Sequence, residues 1–180
     1  MNKPFTNVYL IGPMGSGKST IGLRLANLLG MDFLDNDQEL EKQTGASVGL
    51  IFDLEGEEGF RKRETAMLAK LAARENVLLA TGGGTVTRAE NRELLRNNGL
   101  VVYLRTSVSQ QIKRLSHDKA RPLLQSGDRE EKLTRLAKER NPLYEELADL
   151  TFPSLNRSLD AASHALCEAI ISHRKTTEHS

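Results

Sequence analysis

Short apolar runs alternate with longer amphipathic stretches along most of this chain. Val8-Tyr-Leu-Ile11 leads into glycines, and apolar residues then recur at helical spacing over 19–29 (Ile21, Leu25, Leu28, Leu29). Phe33-Leu34, Val77-Leu-Leu-Ala80, the run over 100–104 and the weaker one over 150–152 predict four further strands. Helical patterns fill the intervals over 37–43, 48–74, 88–97, 108–115, 129–146 and 159–173. Strands that lack polar alternation and are separated by helices belong to a parallel sheet covered on both faces. The expected fold is a three-layer α/β/α arrangement of five parallel strands, with residues 1–180 forming one domain. Ligands of such sheets bind at the carboxyl ends of the strands.

Composition narrows the field mainly by exclusion. The 25 basic and 24 acidic side chains leave a net charge of +1, so bulk charge calls for neither nucleic acid nor membrane as a partner. No apolar run reaches the roughly 18 residues of a bilayer span, and the first residues lack the apolar stretch of a signal peptide. A cytoplasmic protein is expected. The single cysteine, Cys167, excludes an internal disulfide and a cysteine-based zinc site, and its apolar helical setting reads as structural.

The most specific chemistry lies at the end of the first strand. Gly12-Pro-Met-Gly15-Ser16-Gly17-Lys18-Ser19-Thr20 follows a strand and opens a helix, the context in which a phosphate-binding loop is confirmed. Glycines let successive backbone N–H groups turn toward phosphate oxygens, and the helix N-terminus adds its positive end. Lys18 can reach the β- and γ-phosphates, the Ser19 hydroxyl can ligate magnesium, and Thr20 can reach the α-phosphate.

Other features bear on the reaction. No base-reading Asn-Lys-x-Asp element of a GTPase is present, and Asp53-Leu-Glu-Gly56 lies in a charged helical stretch rather than after an apolar strand. The third strand ends in Thr81-Gly82 without the acid of a Walker B strand. Asp35-Asn36-Asp37 directly follows the second strand, which puts both carboxylates at the sheet's carboxyl edge. One can hold magnesium through water while the other orients or deprotonates a hydroxyl nucleophile; alternatively Asp35 or Asn36 caps the next helix. Thr81-Gly82-Gly83-Gly84-Thr85 permits close approach of another molecule to bare backbone, or is a flexible turn. From spacing alone Arg61 reads as a solvated helical residue, and Arg140 as a helix-terminal residue before an Asn-Pro stop. Arg121 follows a polar stretch that could carry it onto the phosphates. His164, His173 and His179 have no matching acid or nucleophile and read as surface or helix residues.

Taken in order, the loop, Asp-x-Asp, Phe60-Arg-x-x-Glu64, Thr-Gly-Gly-Gly, Arg121-Pro-Leu-Leu and Glu139-Arg-x-Pro-Leu-Tyr144 resemble the shikimate kinase family over about residues 5–172. The resemblance implies a nucleoside-monophosphate-kinase-like fold with a mobile lid near 113–127 and acceptor-binding helices over about 37–64. It implies transfer of the ATP γ-phosphoryl group to the 3-hydroxyl of shikimate, with magnesium, by a cytoplasmic monomer. On this reading Gly15, Ser16, Gly17, Lys18, Ser19 and Thr20 hold the ATP phosphates, with Ser19 on the metal and Asp35 assisting it through water. Asp37 binds the acceptor hydroxyls and orients or deprotonates the nucleophile. Arg61 and Arg140 grip the carboxylate, reversing the bland reading of both, and Gly83 contacts the acceptor. Arg121 is the lid arginine, and Arg114 and Arg157 lie near adenine. Asn36 stands where the family more often has Ser or Thr, and is expected to point away from the site. A gluconate-type or nucleotide kinase would need other acceptor-reading groups than Asp37, Arg61 and Arg140. A non-catalytic ATP-binding protein would not need Lys18, Ser19, Asp37 and Arg121 together.

Overall fold

A computed structural model describes residues 6–116, 128–153 and 157–180. Five strands, β1 (Val8–Ile11), β2 (Asp32–Asp35), β3 (Val77–Ala80), β4 (Leu100–Arg105) and β5 (Leu150–Pro153), form one sheet in the order β2-β3-β1-β4-β5. All four pairings are parallel. The described helices are α1 (Lys18–Leu29), α2 (Asn36–Thr44), α3 (Val48–Ala72), α4 (Ala89–Asn98), α5 (Val108–Leu115), α6 (Arg129–Leu147) and α7 (Leu159–Glu178). A 3₁₀ turn spans Thr85–Thr87.

Side-chain alternation explains why the central strands read as unbroken apolar runs. Tyr9, Ile11, Leu79, Val101 and Tyr103 enter a core beneath α3, α4 and α6. Their neighbours Val8, Leu10, Leu78, Val102 and Leu104 enter the opposite core, beneath α1 and α7. Both faces are dry, so both parities must be apolar. Cys167 is half-buried beside the second core, and burial pushes its thiol up from the ordinary range.

The structure departs from the sequence reading at two points along its helices. The pattern over 48–74 is broken at Gly56, whose φ of 71° and ψ of −179° no helix contains. Across the break Glu55 accepts from Arg63 Nε at 2.8 Å and Nη2 at 2.6 Å, a fork that clasps the two arms. Asp53 and Gly56 therefore lie within a bent helix, which removes them from any switch role. The second is Arg140: α6 fills the pattern expected over 129–146 and runs to Leu147, so Asn141-Pro142 does not stop it and Arg140 lies inside the helix rather than at its end. Proline forfeits one helical hydrogen bond, but Tyr144 and Leu147 beyond it are buried in the core, and that packing carries the helix through.

Candidate active site

Every strand points its carboxyl end at one edge of the molecule, and the groups singled out in the sequence gather there. The loop from β1 to α1 folds over that edge with Gly12, Gly15 and Gly17 at φ of 148°, 75° and 86°. A methyl group on Gly12 would stand 2.7 Å from the Leu104 carbonyl oxygen, so the loop's first turn requires glycine. Lys18 Nζ donates to the carbonyls of Gly12 at 2.7 Å and Pro13 at 2.9 Å, and lies 3.3 Å from Ser16 Oγ. The lysine thus arches over the loop it follows. Helix α1 begins with glycine at its N-cap and no acid in its first turn, leaving its terminal N–H groups to an anion.

Asp35 caps the next helix, one of the two roles the sequence allowed, and also reaches Ser19. Its Oδ1 accepts from Gln38 N at 3.1 Å, capping α2, while its Oδ2 accepts from Ser19 Oγ. A hydroxyl and a carboxylate side by side are hard oxygen donors that fit magnesium. Among the described residues no three His, Cys, Asp or Glu side chains gather into a cation site. These two donors alone are too few to enclose the ion, and a magnesium held there would need further oxygens from its ligand and from water. Asn36, next along, is fully buried, and both polar atoms of its side chain lack a hydrogen-bond partner among the described residues.

A cleft of about 550 Å³ runs along the loop and is lined by Lys18, Ser19, Asp35, Asp37, Gly82, Gly83 and Arg114, among others. Beside it a smaller recess of about 60 Å³ is lined by Asp37, Phe52, Arg61, Glu64, Gly83 and Arg140. Arg61 and Arg140, which spacing alone would leave in solvent, are 7% and 6% exposed. Arg61 Nη1 donates to Glu64 Oε1 at 2.9 Å, and Glu64 Oε2 accepts from Thr85 Oγ1 at 3.1 Å. Arg61 Nη2 also faces the exposed Glu57 at 3.5 Å.

The glycine run is packed too closely for other residues at two of its three positions. A methyl group on Gly84 would lie 2.2 Å from Arg61 Nη2, although its φ of −96° suits any residue. One on Gly82 would lie 2.9 Å from Glu64 Oε2. The run is a seat for the Arg61–Glu64 pair rather than a loose turn. From α6, Tyr144 donates to the Gly83 carbonyl at 2.5 Å. Burial pushes the Tyr144 phenol far above the ordinary range, with the Arg140 charge only partly opposing it, so it remains a donor at neutral pH.

A third cavity of about 250 Å³ lies behind the loop, lined by Gly17, Thr20, Arg114, Phe152 and Arg157, among others. Arg114 Nη1 donates to the Gly15 carbonyl at 2.9 Å, and the Arg157 guanidinium lies 5.8 Å from the centre of the Phe152 ring. A largely apolar cavity edged by two arginines suits a nucleotide base. The structure therefore brings Asp37, Arg61, Gly83 and Arg140 into one recess, and sets the loop, Ser19 and Asp35 along the adjoining cleft. Arg121 lies outside the described residues. Spacing gave no role to Glu64, Thr85, Phe52 or Tyr144; Glu64 and Tyr144 stood inside the quoted motifs, but only tertiary packing reveals what they touch.

The family model for shikimate kinase matches residues 14–171. A shikimate kinase of Actinobacillus pleuropneumoniae serotype 5b is 50% identical over 164 residues, covering 91% of this chain and 95% of that protein. One from Vibrio cholerae serotype O1 is 47% identical over 167 residues, covering 93% and 96%. Among solved structures, the shikimate kinase from Acinetobacter baumannii in complex with shikimate superposes with a TM-score of 0.91 at 48% identity, covering 93% of this chain and 94% of that one. A deoxyadenosine kinase from M. mycoides, 18% identical with a TM-score of 0.66, shares the fold.

Proposed function

The chain belongs to the shikimate kinase family, and we propose that it transfers the γ-phosphoryl group of ATP to the 3-hydroxyl of shikimate. What carries the reading is Asp37, which lines both the phosphate-side cleft and the arginine-walled recess. A hydroxyl held in the recess by its neighbouring carboxylate group comes within reach of Asp37 and faces the phosphate loop. Arg61 and Arg140 supply planar paired donors for that carboxylate, which lysine would do less well. Gly83 lies between them and the loop. The backbone from Gly15 to Thr20 cradles the ATP phosphates, and Arg114 and Arg157 flank the base.

Phosphoryl transfer passes through a loose transition state, so catalysis rests on alignment and on stabilising charge spread over the transferring group. Lys18 serves that charge directly, and Arg121, on a lid over about 113–127, joins it. Ser19, and Asp35 through water, would hold magnesium together with ATP, and the bound ion would supply positive charge against that of the phosphates. Asp37 fixes the acceptor oxygen in line and takes its proton as the new bond forms. The helices over 37–64 form the acceptor-binding part of a single domain. No described helix is long and apolar enough to cross a membrane, and we place the enzyme in the cytoplasm as a monomer.

Coupled ADP release with magnesium-ATP, run against shikimate, gluconate and nucleoside monophosphates, tests the assignment. Turnover with shikimate alone is expected; turnover with gluconate and none with shikimate would overturn it. Hydrogen bonds to charged groups contribute about 1.5–3 kcal/mol, so Arg61→Ala should raise the shikimate KM roughly 10- to 100-fold. The ATP KM should stay within about twofold, since uniform loss of binding acts only on the substrate touched. Equal changes in both would show that Arg61 does not grip the acceptor.

A further inference from the structure

Resting on that reading, we propose that Tyr144 is a positioning residue, whose hydroxyl holds the Gly83 peptide in place between the phosphate loop and Arg140. The three carbonyls of the glycine run are held differently. Gly82 accepts from Thr85 N at 3.2 Å and Gly84 from Thr87 N at 3.1 Å, both within the turn itself. Gly83 accepts from Tyr144, 61 residues away on α6. The run's own turn therefore leaves its middle peptide to be fixed from another element.

That peptide lies where the two halves of the site meet. A methyl group on Gly83 would stand 3.4 Å from Met14 N and 3.7 Å from Gly12 O on the loop side, and 3.7 Å from Arg140 Nη1 on the other. Arg140 and Tyr144 are four residues apart, so one face of α6 offers the guanidinium and the phenol together. The phenol ring is fixed in turn. It is fully buried and stacks on Tyr103, with centroids 5.1 Å apart and planes at 27°. Tyr103 pairs with Ile11, the residue that leads into the loop. A continuous path therefore runs from β4 beside the loop, through two stacked rings, to the Gly83 carbonyl. A peptide is planar and rigid, so fixing its carbonyl also fixes the direction of the Gly84 N–H.

The stack contains its own control. Tyr103 is also fully buried, but its hydroxyl has no hydrogen-bond partner among the described residues. Tyr144→Phe and Tyr103→Phe each remove one buried hydroxyl from the same pair of rings, and only the first removes a hold on the site.

Steady-state kinetics on the full chain, with unfolding monitored alongside, compare the two variants. Tyr144→Phe loses the hold on Gly83 and the phenol's contact with Arg140, which predicts a rise of at least about fivefold in the shikimate KM with the ATP KM unchanged. Tyr103→Phe should leave both constants at wild-type values. Wild-type shikimate KM in Tyr144→Phe, or parallel changes in both KM values, would reduce Tyr144 to packing and overturn the proposal. Hydrogen exchange adds a second readout: the amides of 83–85 should exchange faster in Tyr144→Phe than in the wild type or Tyr103→Phe. Equal exchange in all three chains would equally overturn it. If the wild-type chain fails to turn over shikimate, the functional reading falls, while hydrogen exchange still decides whether the glycine run is held.

Discussion

Asp37→Asn should lower kcat for shikimate phosphorylation by roughly 10²- to 10⁴-fold, the range of a lost general base. The change keeps the size of the side chain, so the acceptor can still enter the recess. What disappears is a negative oxygen able to take the hydroxyl proton where the two cavities join. The ATP KM should remain close to wild type, because the phosphate cradle is built from loop backbone and Lys18. The size of the fall separates two roles. A loose transition state needs little deprotonation early, so a value near 10² assigns Asp37 mainly to alignment, and one near 10⁴ to proton transfer. Near-normal turnover would remove Asp37 from the mechanism.

Glu64→Ala should combine the largest loss of stability with a marked loss of acceptor affinity. Glu64 is 1% exposed and joins Arg61 to Thr85 through its two oxygens. Removing one partner of a buried ion pair typically costs about 3–5 kcal/mol, because the remaining charge stays desolvated without compensation. The exposed Glu57, 3.5 Å from Arg61, offsets part of this, which sets the expectation at about 3 kcal/mol. For a chain of this size that corresponds to a fall in Tm of about 6–12 °C. Arg61→Ala/Glu64→Ala should be more stable than Glu64→Ala alone, since the stranded charge is gone. A double variant as unstable as the sum of the singles would show that the pair is not coupled. In Glu64→Ala the freed guanidinium can also swing from the recess, so the shikimate KM should rise while the ATP KM holds.

How much of this was legible in the sequence depended on the range over which each feature is determined. The strands were legible because burial on both faces removes polar residues from every position of β1 and β3. The phosphate loop was legible because its glycines, lysine and serine are adjacent in the chain. The break in α3 was not, since Gly56 sits in a charged stretch whose spacing stays helical on either side. The burial of Arg61 was not legible from its neighbours either. Glu57, Glu58, Lys62 and Arg63 surround it in sequence, but its surroundings are set by Gly84 and Thr85 from beyond the third strand. Arg140 misled for a related reason: Asn-Pro reads locally as a helix end although the helical spacing runs on to 146, and the core packing of Tyr144 and Leu147 carries the helix past it. Asp35 divided between two readings because its two oxygens face different partners, one capping α2 and the other meeting Ser19.

The glycine run also bears on how mutations in this protein could be repaired. A side chain at Gly84 collides with Arg61 and one at Gly82 with Glu64, so in each case the obstacle is another side chain. Suppressors of either lesion can therefore arise at a second site, by shortening or moving the group it strikes, though at a cost to the acceptor grip. Gly83 differs. A methyl group there meets its neighbours at 3.4 Å or more, ordinary contact distance, and the chain should fold around it. On the proposed reading, what that methyl displaces is the acceptor itself, which no compensating change elsewhere in the gene can reshape. On that reading two of the three glycines answer to the protein and are open to genetic rescue, while the middle one would answer to the substrate and would not be.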